Sequence, residues 1–291
     1  MKNMILILIV IVATVGLFAE DWNTSADISL NMNQNSYSDN WAGEEIGAIS
    51  WAFNANLLAE KQLTGKVNNK NTLKLAFGQT HNQYVAVDST KKWAKPDKTT
   101  DLIDFESIFR FTLGIIVDPF ASVRLESQFM DKQGNEIKNF NPNVLTETFG
   151  VARMFIKEEN KELSARFGAA FKQYFDSYKD ESTNDGGIEF VSEFKSPLAK
   201  NAINYNTKLI LYKALFYSES DAVEGTSMED DWKAARLDWE HIFSASITKM
   251  INLNLYFQMI YNRTNYNTAG ESIDELQFKQ TLGLGFTYKL L

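Results

Sequence analysis

The sequence contains no cysteine, only four prolines and only two histidines in 291 residues. Without cysteine, neither a disulfide scaffold nor a lipid-modified N-terminal cysteine is available. The two histidines, His81 and His241, are far apart in sequence, so no spacing typical of a zinc site is present. Phosphate-binding loops, nucleophile elbows and dinucleotide-binding patterns are also missing. We therefore expect no metal, no other cofactor and no enzymatic activity.

Basic clusters are missing as well. The chain has 37 acidic and 29 basic residues, which gives a net charge of −8. Phosphate binding needs a basic face, and none stands out along this sequence. The sequence therefore predicts no nucleic-acid partner.

Long apolar runs are confined to the N-terminus. Lys2 precedes the uncharged stretch 4–18, and Ala19 follows it, which is the order expected of a secretory signal peptide. About fifteen apolar residues are fewer than the roughly twenty that a membrane-spanning helix needs. We expect residues 1–19 to be a cleaved signal peptide and residues 20–291 to form one exported domain.

The chain does have a two-residue alternation of apolar and polar side chains, which is the period of a β-strand. In residues 120–129, Ala121 and Val123 alternate with Ser122 and Arg124. The same pattern recurs along the whole mature chain. The further runs are 26–32, 49–57, 73–77, 103–111, 163–171, 188–194, 205–211, 237–243, 253–261 and 278–288.

One further run, 144–156, is ambiguous. Glu147 and Arg153 share their parity with the apolar Phe149 and Val151, so one face of this strand would mix charge with apolar side chains. The alternation alone does not say which face turns inward.

These runs predict an all-β fold of twelve long strands. Tight connections, such as 115–118, 157–160 and 198–200, alternate with long ones, such as 83–99, 132–141 and 218–231, and 61–69 is intermediate. An even number of strands with this alternation is typical of a closed antiparallel transmembrane β-barrel, with short periplasmic turns and long extracellular loops. The four prolines fall in predicted loops or at strand ends, which fits this assignment.

A soluble sandwich shows the same periodicity, but the alternating lengths of the connections and three further features favour lipid against the apolar face. These are the signal peptide, the strand length and the aromatic residues near strand ends, where rings meet the headgroup region. We therefore expect a bacterial outer-membrane location with lipid as a partner. The aromatic residues assigned to this belt are Tyr174, Phe175, Phe216, Tyr217, Trp232, Tyr261, Phe286 and Tyr288.

Short segments of the chain resemble an uncharacterised family of outer-membrane β-barrel proteins that is common in the Bacteroidetes and their relatives. The resemblance lies in an S-N-W-A-x-G-G segment near the N-terminus, and in blocks around residues 93–98, 101–107 and 127–129. Glu44 and Glu45 stand where the family usually has a second glycine and a polar residue. The resemblance implies a fold and a location, and it supplies no catalytic residue. The matching segment here is Ser38, Asp39, Asn40, Trp41, Ala42, Gly43 and Glu44.

The polar face of the predicted strands carries charges of both signs, which we expect to line the lumen. A pore that selects one ion sign would show rings of that sign. A balanced set predicts either ion pairs that seal the lumen or a narrow solute path, and the sequence favours neither. The candidate lumen residues are Asp104, Glu106, Arg110, Arg124, Glu126, Arg166, Glu189, Glu193, Arg236, Asp238 and Glu240, with Lys172, Lys195, Lys208 and Lys279 on the same face.

Three functions remain open. The first is a narrow pathway or binding barrel for a small solute. The second is a structural or interaction protein with a sealed lumen and functional loops. The third is a lipid hydrolase that uses the outward His241; the hydroxyls on offer are Thr207 and the more distant Ser192, so we favour this least.

Overall fold

The structure is a computed structural model. It describes residues 22–37, 46–87, 90–179, 182–248, 251–266 and 271–289. The predicted signal peptide and the segment at residues 38–44 lie outside the described residues. Among the residues that are described, no helix has the length and hydropathy to cross a membrane.

The described chain consists almost entirely of β-strands. A one-turn helix, Ser220–Val223, is the helical segment in the described ranges. The strands are β1 (Asn23–Asn35), β2 (Ala48–Thr64), β3 (Val67–Val85), β4 (Lys91–Trp93), β5 (Asp97–Phe111), β6 (Asp118–Ser127), β7 (Met130–Gln133), β8 (Glu136–Asn139), β9 (Asn143–Lys157), β10 (Glu162–Phe175), β11 (Thr183–Leu198), β12 (Ile203–Tyr217), β13 (Ala235–Ser246), β14 (Ile251–Tyr261) and β15 (Gln277–Lys289).

Twelve of these strands form a closed ring. The order around it is β1, β2, β3, β5, β6, β9, β10, β11, β12, β13, β14 and β15, and β15 pairs again with β1 between Asp27↔Lys289 and Asn31↔Gly285. Every neighbouring pair is antiparallel. β4 extends the outer end of β3 as a hairpin, and β7 and β8 form a separate hairpin. The predicted closed antiparallel barrel of twelve strands is confirmed.

The connections alternate in length from one end of the barrel to the other. Short turns at 65–66, 112–117, 158–161, 199–202 and 247–250 lie at the end that also carries Asn23 and Lys289. The other end carries 36–47, 86–96, 128–142, 176–182, 218–234 and 262–276. The connection predicted at 61–69 is shorter than expected, because β2 and β3 continue their pairing into this polar segment. Backbone pairing of two strands can continue past the apolar band, where the outward side chains are polar, and the sequence pattern therefore placed the strand ends too early.

The two faces of the wall differ in chemistry, and β9 shows which face is which. Thr146 and Thr148 are buried inside the ring, whereas Phe149 points outward with 69% of its surface exposed. Glu147 and Arg153 therefore also face outward. Further outward apolar side chains that remain exposed include Phe105, Phe109, Val123, Leu125, Val151, Phe155, Phe167, Ile188, Leu211, Leu215, Leu253, Phe278, Leu282 and Leu284.

Three of the aromatic residues assigned to the headgroup belt are placed elsewhere. Tyr217 is the register partner of the inward Asp185, and its ring centroid lies 6.2 Å from that of Trp232. Tyr174 has the inward parity of Arg166, and its hydroxyl contacts buried lumen groups. Trp232 packs against a cluster of inward side chains at the long-loop end. These three assignments were wrong because a ring near a strand end fits the mouth of a barrel as well as its outer rim. The side chains of Phe286 and Tyr288 lie outside the described part of the chain.

Candidate functional site

The charged inner face begins with an ion pair between neighbouring strands. Arg124 on β6 donates from Nε to Oδ1 of Asp104 at 2.8 Å and from Nη2 to Oδ2 at 3.0 Å. Its Nη2 also lies 3.1 Å from Oε1 of Glu126. This two-pronged geometry is the strongest form of an arginine–carboxylate contact.

Glu106 on β5 is the most deeply buried carboxylate of this network, with 5% of its side chain exposed. One of its oxygens accepts a hydrogen bond from Arg166 on β10, and the other accepts one from Lys208 on β12 at 3.1 Å. Two cations therefore compensate one buried carboxylate. Such compensation is needed because an unpaired charge in this environment is costly.

Three ion pairs cross the lumen. Lys70 on β3 lies 2.9 Å from Glu193 on β11, Lys74 on β3 lies 2.6 Å from Glu240 on β13, and Lys208 reaches Glu106 as described. In each case the shorter way around the ring has four strands between the partners. Contacts at these distances between nearly opposite strands are made through the interior. We call these three contacts the transverse pairs.

A second cluster lies nearer the long loops and is centred on Asp185 of β11. This carboxylate is fully buried and accepts hydrogen bonds from Tyr212 at 2.6 Å, Tyr174 at 3.0 Å and Arg236 at 2.8 Å. Arg236 also donates to the Tyr174 hydroxyl at 2.7 Å. The carboxylate and the two phenol hydroxyls are thus satisfied within the cluster, whereas Nε of Arg236 is buried without a hydrogen-bond partner among the described residues.

The loop 218–234 covers the same end of the barrel. Trp232 packs against the inward-facing Tyr212 and its neighbours. The preceding Asp231 is 1% exposed and lies 3.0 Å from Arg263, which belongs to the loop 262–276. The lumen is therefore occupied at two levels, by the transverse pairs and by this loop with the cluster around Asp185.

Several of the predicted lumen residues lie apart from these clusters. Arg110 is at the short-turn end, 3.8 Å from Asp118. Glu189 accepts a hydrogen bond from Thr148 at 3.4 Å, and Asp238 accepts one from Gln258 at 2.9 Å. No ion pair is formed by Glu189 or Asp238 within the described residues.

Sequence reasoning missed Lys70, Lys74 and Asp185. Lys70 and Lys74 lie in a segment rich in asparagine and threonine, in which the predicted run covers residues 73–77. The parity of that run already places Lys74 on the inner face, and extending the run backward places Lys70 there as well. Asp185 precedes the predicted run 188–194, because Gly186 and Gly187 carry no alternation, although β11 already begins at Thr183.

In the described part of the outer wall, no serine lies next to His241. His241 Nδ1 lies 2.8 Å from the Tyr205 hydroxyl. Thr207 is directly opposite His241, but its hydroxyl donates to the backbone oxygen of Glu240 at 2.7 Å and accepts from Trp239 at 3.0 Å. Ser192 is on β11, two strands away from β13. In the described ranges, no group of three potential ligands could hold a metal ion.

A closed ring of long strands with an apolar outer face and a charged interior defines a transmembrane β-barrel. Residues 32–132 match the model of a family described as "Protein of unknown function (DUF3078)". The predicted resemblance to an uncharacterised family is confirmed over this part of the chain. No curated protein matches the sequence.

Solved structures of other barrels resemble this one. An outer-membrane channel from Pseudomonas putida F1 is 12% identical with a TM-score of 0.43, and the alignment covers 91% of this chain and 95% of that one. The translocator domain of the autotransporter NalP from Neisseria meningitidis is 8% identical with a TM-score of 0.34, covering 91% and 87%. OccK7 (OpdD) of Pseudomonas aeruginosa is 7% identical with a TM-score of 0.27, covering 93% and 98%. Because these values are low, the fold assignment rests on the strand pairing of this chain.

Proposed function

We propose that this protein is an outer-membrane barrel with a closed lumen, and that it acts through its extracellular surface without a cofactor or an enzymatic step. The observation that carries this proposal is the set of transverse pairs. Side chains that meet at hydrogen-bonding distance across the interior occupy the space that a solute would need.

The closure is strong in electrostatic terms. Opening it would separate Glu106 from Lys208 and Arg166 and leave charges of both signs without partners in a narrow space. Breaking a buried ion pair by loss of one partner costs about 3–5 kcal/mol. Separation of several such pairs by a passing solute would therefore need a large compensating interaction.

The architecture supports an outer-membrane location and a surface role. The even strand number, the short turns on the side of both described ends, and the long loops opposite are the plan of bacterial outer-membrane barrels. In that membrane the long loops face outward, so the hairpin of β3 and β4 and the hairpin of β7 and β8 are presented to the exterior. These two hairpins are therefore the surface on which we expect an interacting molecule to bind.

The outer loops are also held in place by specific contacts, as expected of a binding surface. Asn141 is fully buried, and its Nδ2 donates to Asp131 at 2.9 Å and to Asp176 at 3.1 Å. Its Oδ1 accepts from the backbone N–H of Ser177 at 2.7 Å. This contact, which we call the Asn141 latch, joins the connection 128–142 to the connection 176–182.

Conductance in planar lipid bilayers tests the closed lumen. The wild-type barrel should pass no measurable current. A charge-neutral variant with Lys70, Lys74, Glu193 and Glu240 replaced by alanine removes two transverse pairs, and Trp232→Ala opens the mouth. The combined variant should conduct, because both levels of closure are then weakened.

The matched control is the double variant Asp230→Ala with Lys233→Ala. It removes an ion pair of 2.8 Å in the exposed loop and should remain silent. Heat-modifiable migration on gels verifies that every variant is folded. Current through the wild-type barrel, or silence of the combined variant, would contradict the closed lumen.

The second candidate is the narrow solute pathway, and one observation favours it. Lys70 and Glu193 keep 32% and 30% of their side chains exposed, so the lumen is not filled completely at their level. Swelling of wild-type proteoliposomes in small sugars or amino acids would select this function. The absence of swelling selects the closed barrel.

A further inference from the structure

The outer face of β9 carries a charge in an apolar setting. Glu147 lies between Leu145 and Phe149 along its own strand, and its partners on the neighbouring strands are Val123 and Phe171. It is exposed, and within the described residues it forms no ion pair. An ionisable side chain among lipid-facing residues is costly and marks a functional site by default.

The other outward charge of β9 has an evident explanation. Arg153 lies nearer the short-turn end, where its guanidinium sits 5.4 Å from the centre of the Phe155 ring. A long basic side chain at the edge of the apolar band can reach the headgroups and rest its stem on an aromatic ring. Glu147 has aromatic neighbours too, but within the described residues it has no cation beside it, and a carboxylate gains nothing from the face of a ring.

A groove in the outer wall begins next to Glu147. Its volume is about 270 Å³, near the lower end of small-molecule sites, which start at roughly 300 Å³. Two of its lining residues, Phe149 and Phe171, are the neighbours of Glu147 just described. The outward lining residues are Phe149, Ala169, Phe171, Gly186, Leu215 and Phe216.

The groove results from the local strand geometry. The pairing of β11 with β12 shifts between Gly186 and Gly187, which leaves Leu215 as an extra residue that projects outward with 64% exposure. Gly187 has the inward parity of Asp185, and a Cβ there would lie 1.9 Å from the backbone oxygen of Lys213, so only glycine fits at this irregularity.

At the outward Gly186 a Cβ would lie 2.2 Å from the Phe216 ring, so this ring covers Gly186. The open floor is Ala169 with the adjoining backbone, between the projecting side chains of Phe149 and Leu215.

We propose that this groove and Glu147 together bind one phospholipid whose headgroup carries a primary amine. One acyl chain lies in the groove between Phe149 and Leu215, and the ammonium group donates to the Glu147 carboxylate. Hydrocarbon surrounds this face of the barrel, so an acyl chain is the occupant that the membrane itself provides. A carboxylate selects a cationic headgroup, and an ammonium group offers three hydrogen-bond donors to it.

The position of Glu147 along the strand allows this contact. β9 begins at Asn143 on the long-loop side, four residues before Glu147. A glutamate side chain at this depth can extend along the wall toward the headgroups while its stem stays against Phe171. The site lies on the outer wall, so it is independent of whether the lumen conducts.

Native mass spectrometry of the barrel released from vesicles tests the proposal. The vesicles contain equal amounts of phosphatidylethanolamine, which has a primary amine, and phosphatidylglycerol, which has none. The wild-type barrel should retain one phosphatidylethanolamine in preference. Glu147→Gln should lower the ratio of the two retained lipids by about tenfold, because a hydrogen bond to a charged group is lost.

A second variant tests the groove separately from the charge. Ala169→Leu fills the floor and should abolish retention of both lipids. Ala165→Leu is its control, since Ala165 faces outward on the same strand but does not line the groove. All variants are first shown to be folded by heat-modifiable migration.

Three results would overturn the proposal. They are equal retention of the two lipids by the wild-type barrel, an unchanged preference in Glu147→Gln, and equal loss of lipid in Ala165→Leu and Ala169→Leu. Retention of a protein at this face in place of a lipid would also overturn it. The predicted pattern across the four proteins supports it.

Discussion

Glu106 and Glu147 are the same residue type on the two faces of one wall, and their surroundings differ in every respect. Glu106 is buried in the interior and contacts two cations from strands across the ring. Glu147 is exposed on the outside and is surrounded by apolar side chains. The parity of a residue in a barrel wall therefore decides whether its charge is compensated by the protein or must be compensated by the membrane.

The largest expected difference between the two faces concerns stability. Glu106→Gln leaves Arg166 without its ion-pair partner and Lys208 with only Glu193, 3.9 Å away, and should lower the free energy of unfolding by about 3–5 kcal/mol. Glu147→Gln removes no protein contact and should change it by no more than about 0.5 kcal/mol. Urea unfolding in phosphatidylglycerol vesicles, followed by tryptophan fluorescence, measures both. Similar losses for the two variants would contradict the assignment of the faces.

Replacement of Glu147 by an apolar residue should have a smaller effect on stability, and one of opposite sign. Glu147→Leu should raise the free energy of unfolding in the same vesicles by about 1 kcal/mol, because a carboxylate is removed from the apolar band. The converse substitution Val123→Glu, on the neighbouring strand, should lower it by a similar amount. If Glu147→Leu destabilises the barrel, Glu147 has a partner within the protein.

The smallest effect on stability is expected for a carboxylate that lies outside the membrane, Asp176 in the connection 176–182. Burial raises the pKa of Asp176, but the backbone N–H of Tyr178 and the amide of Asn141 outweigh it, and the pKa is lowered overall. The Asn141 latch is therefore fully stabilised above the ordinary aspartate pKa of 3.8. That stabilisation is lost as the pH falls through the lowered pKa of the folded protein.

Hydrogen exchange of the Ser177 amide, corrected for its intrinsic pH dependence, should therefore quicken at acid pH. Asp176→Asn should show the quicker exchange already at neutral pH. Amides in β6 and β9 serve as the internal control, since their pairing does not involve this carboxylate. Protection of Ser177 that does not change with pH would contradict the role of Asp176 in the latch.

The alternation of side chains was sufficient to predict the closed barrel, because a strand period, an even strand count and unequal connections leave few alternatives. It also resolves β9 once one residue is placed, since Thr146 and Thr148 inside put Glu147 outside. It could not predict the partners of Glu106. Arg166 and Lys208 lie on distant strands, and their approach depends on the width of the ring and on side-chain reach.

Other parts of the candidate site were beyond the sequence for a different reason. Tyr174 and Trp232 stand near strand ends, and composition does not distinguish a ring that meets lipid from one that fills the barrel mouth. The groove beside Glu147 depends on Leu215 as an extra residue in β12. Such an irregularity arises from the pairing of two strands, so the alternation of side chains within either strand does not reveal it.

The transverse pairs also constrain the order of events in assembly. Lys70 and Glu193, or Lys74 and Glu240, belong to strands that no hairpin or growing sheet edge brings together. Their attraction is realised only when the first and last strands have joined. A partly paired sheet is not stabilised by these ion pairs. The contacts therefore favour a single cooperative step from the open sheet to the closed barrel.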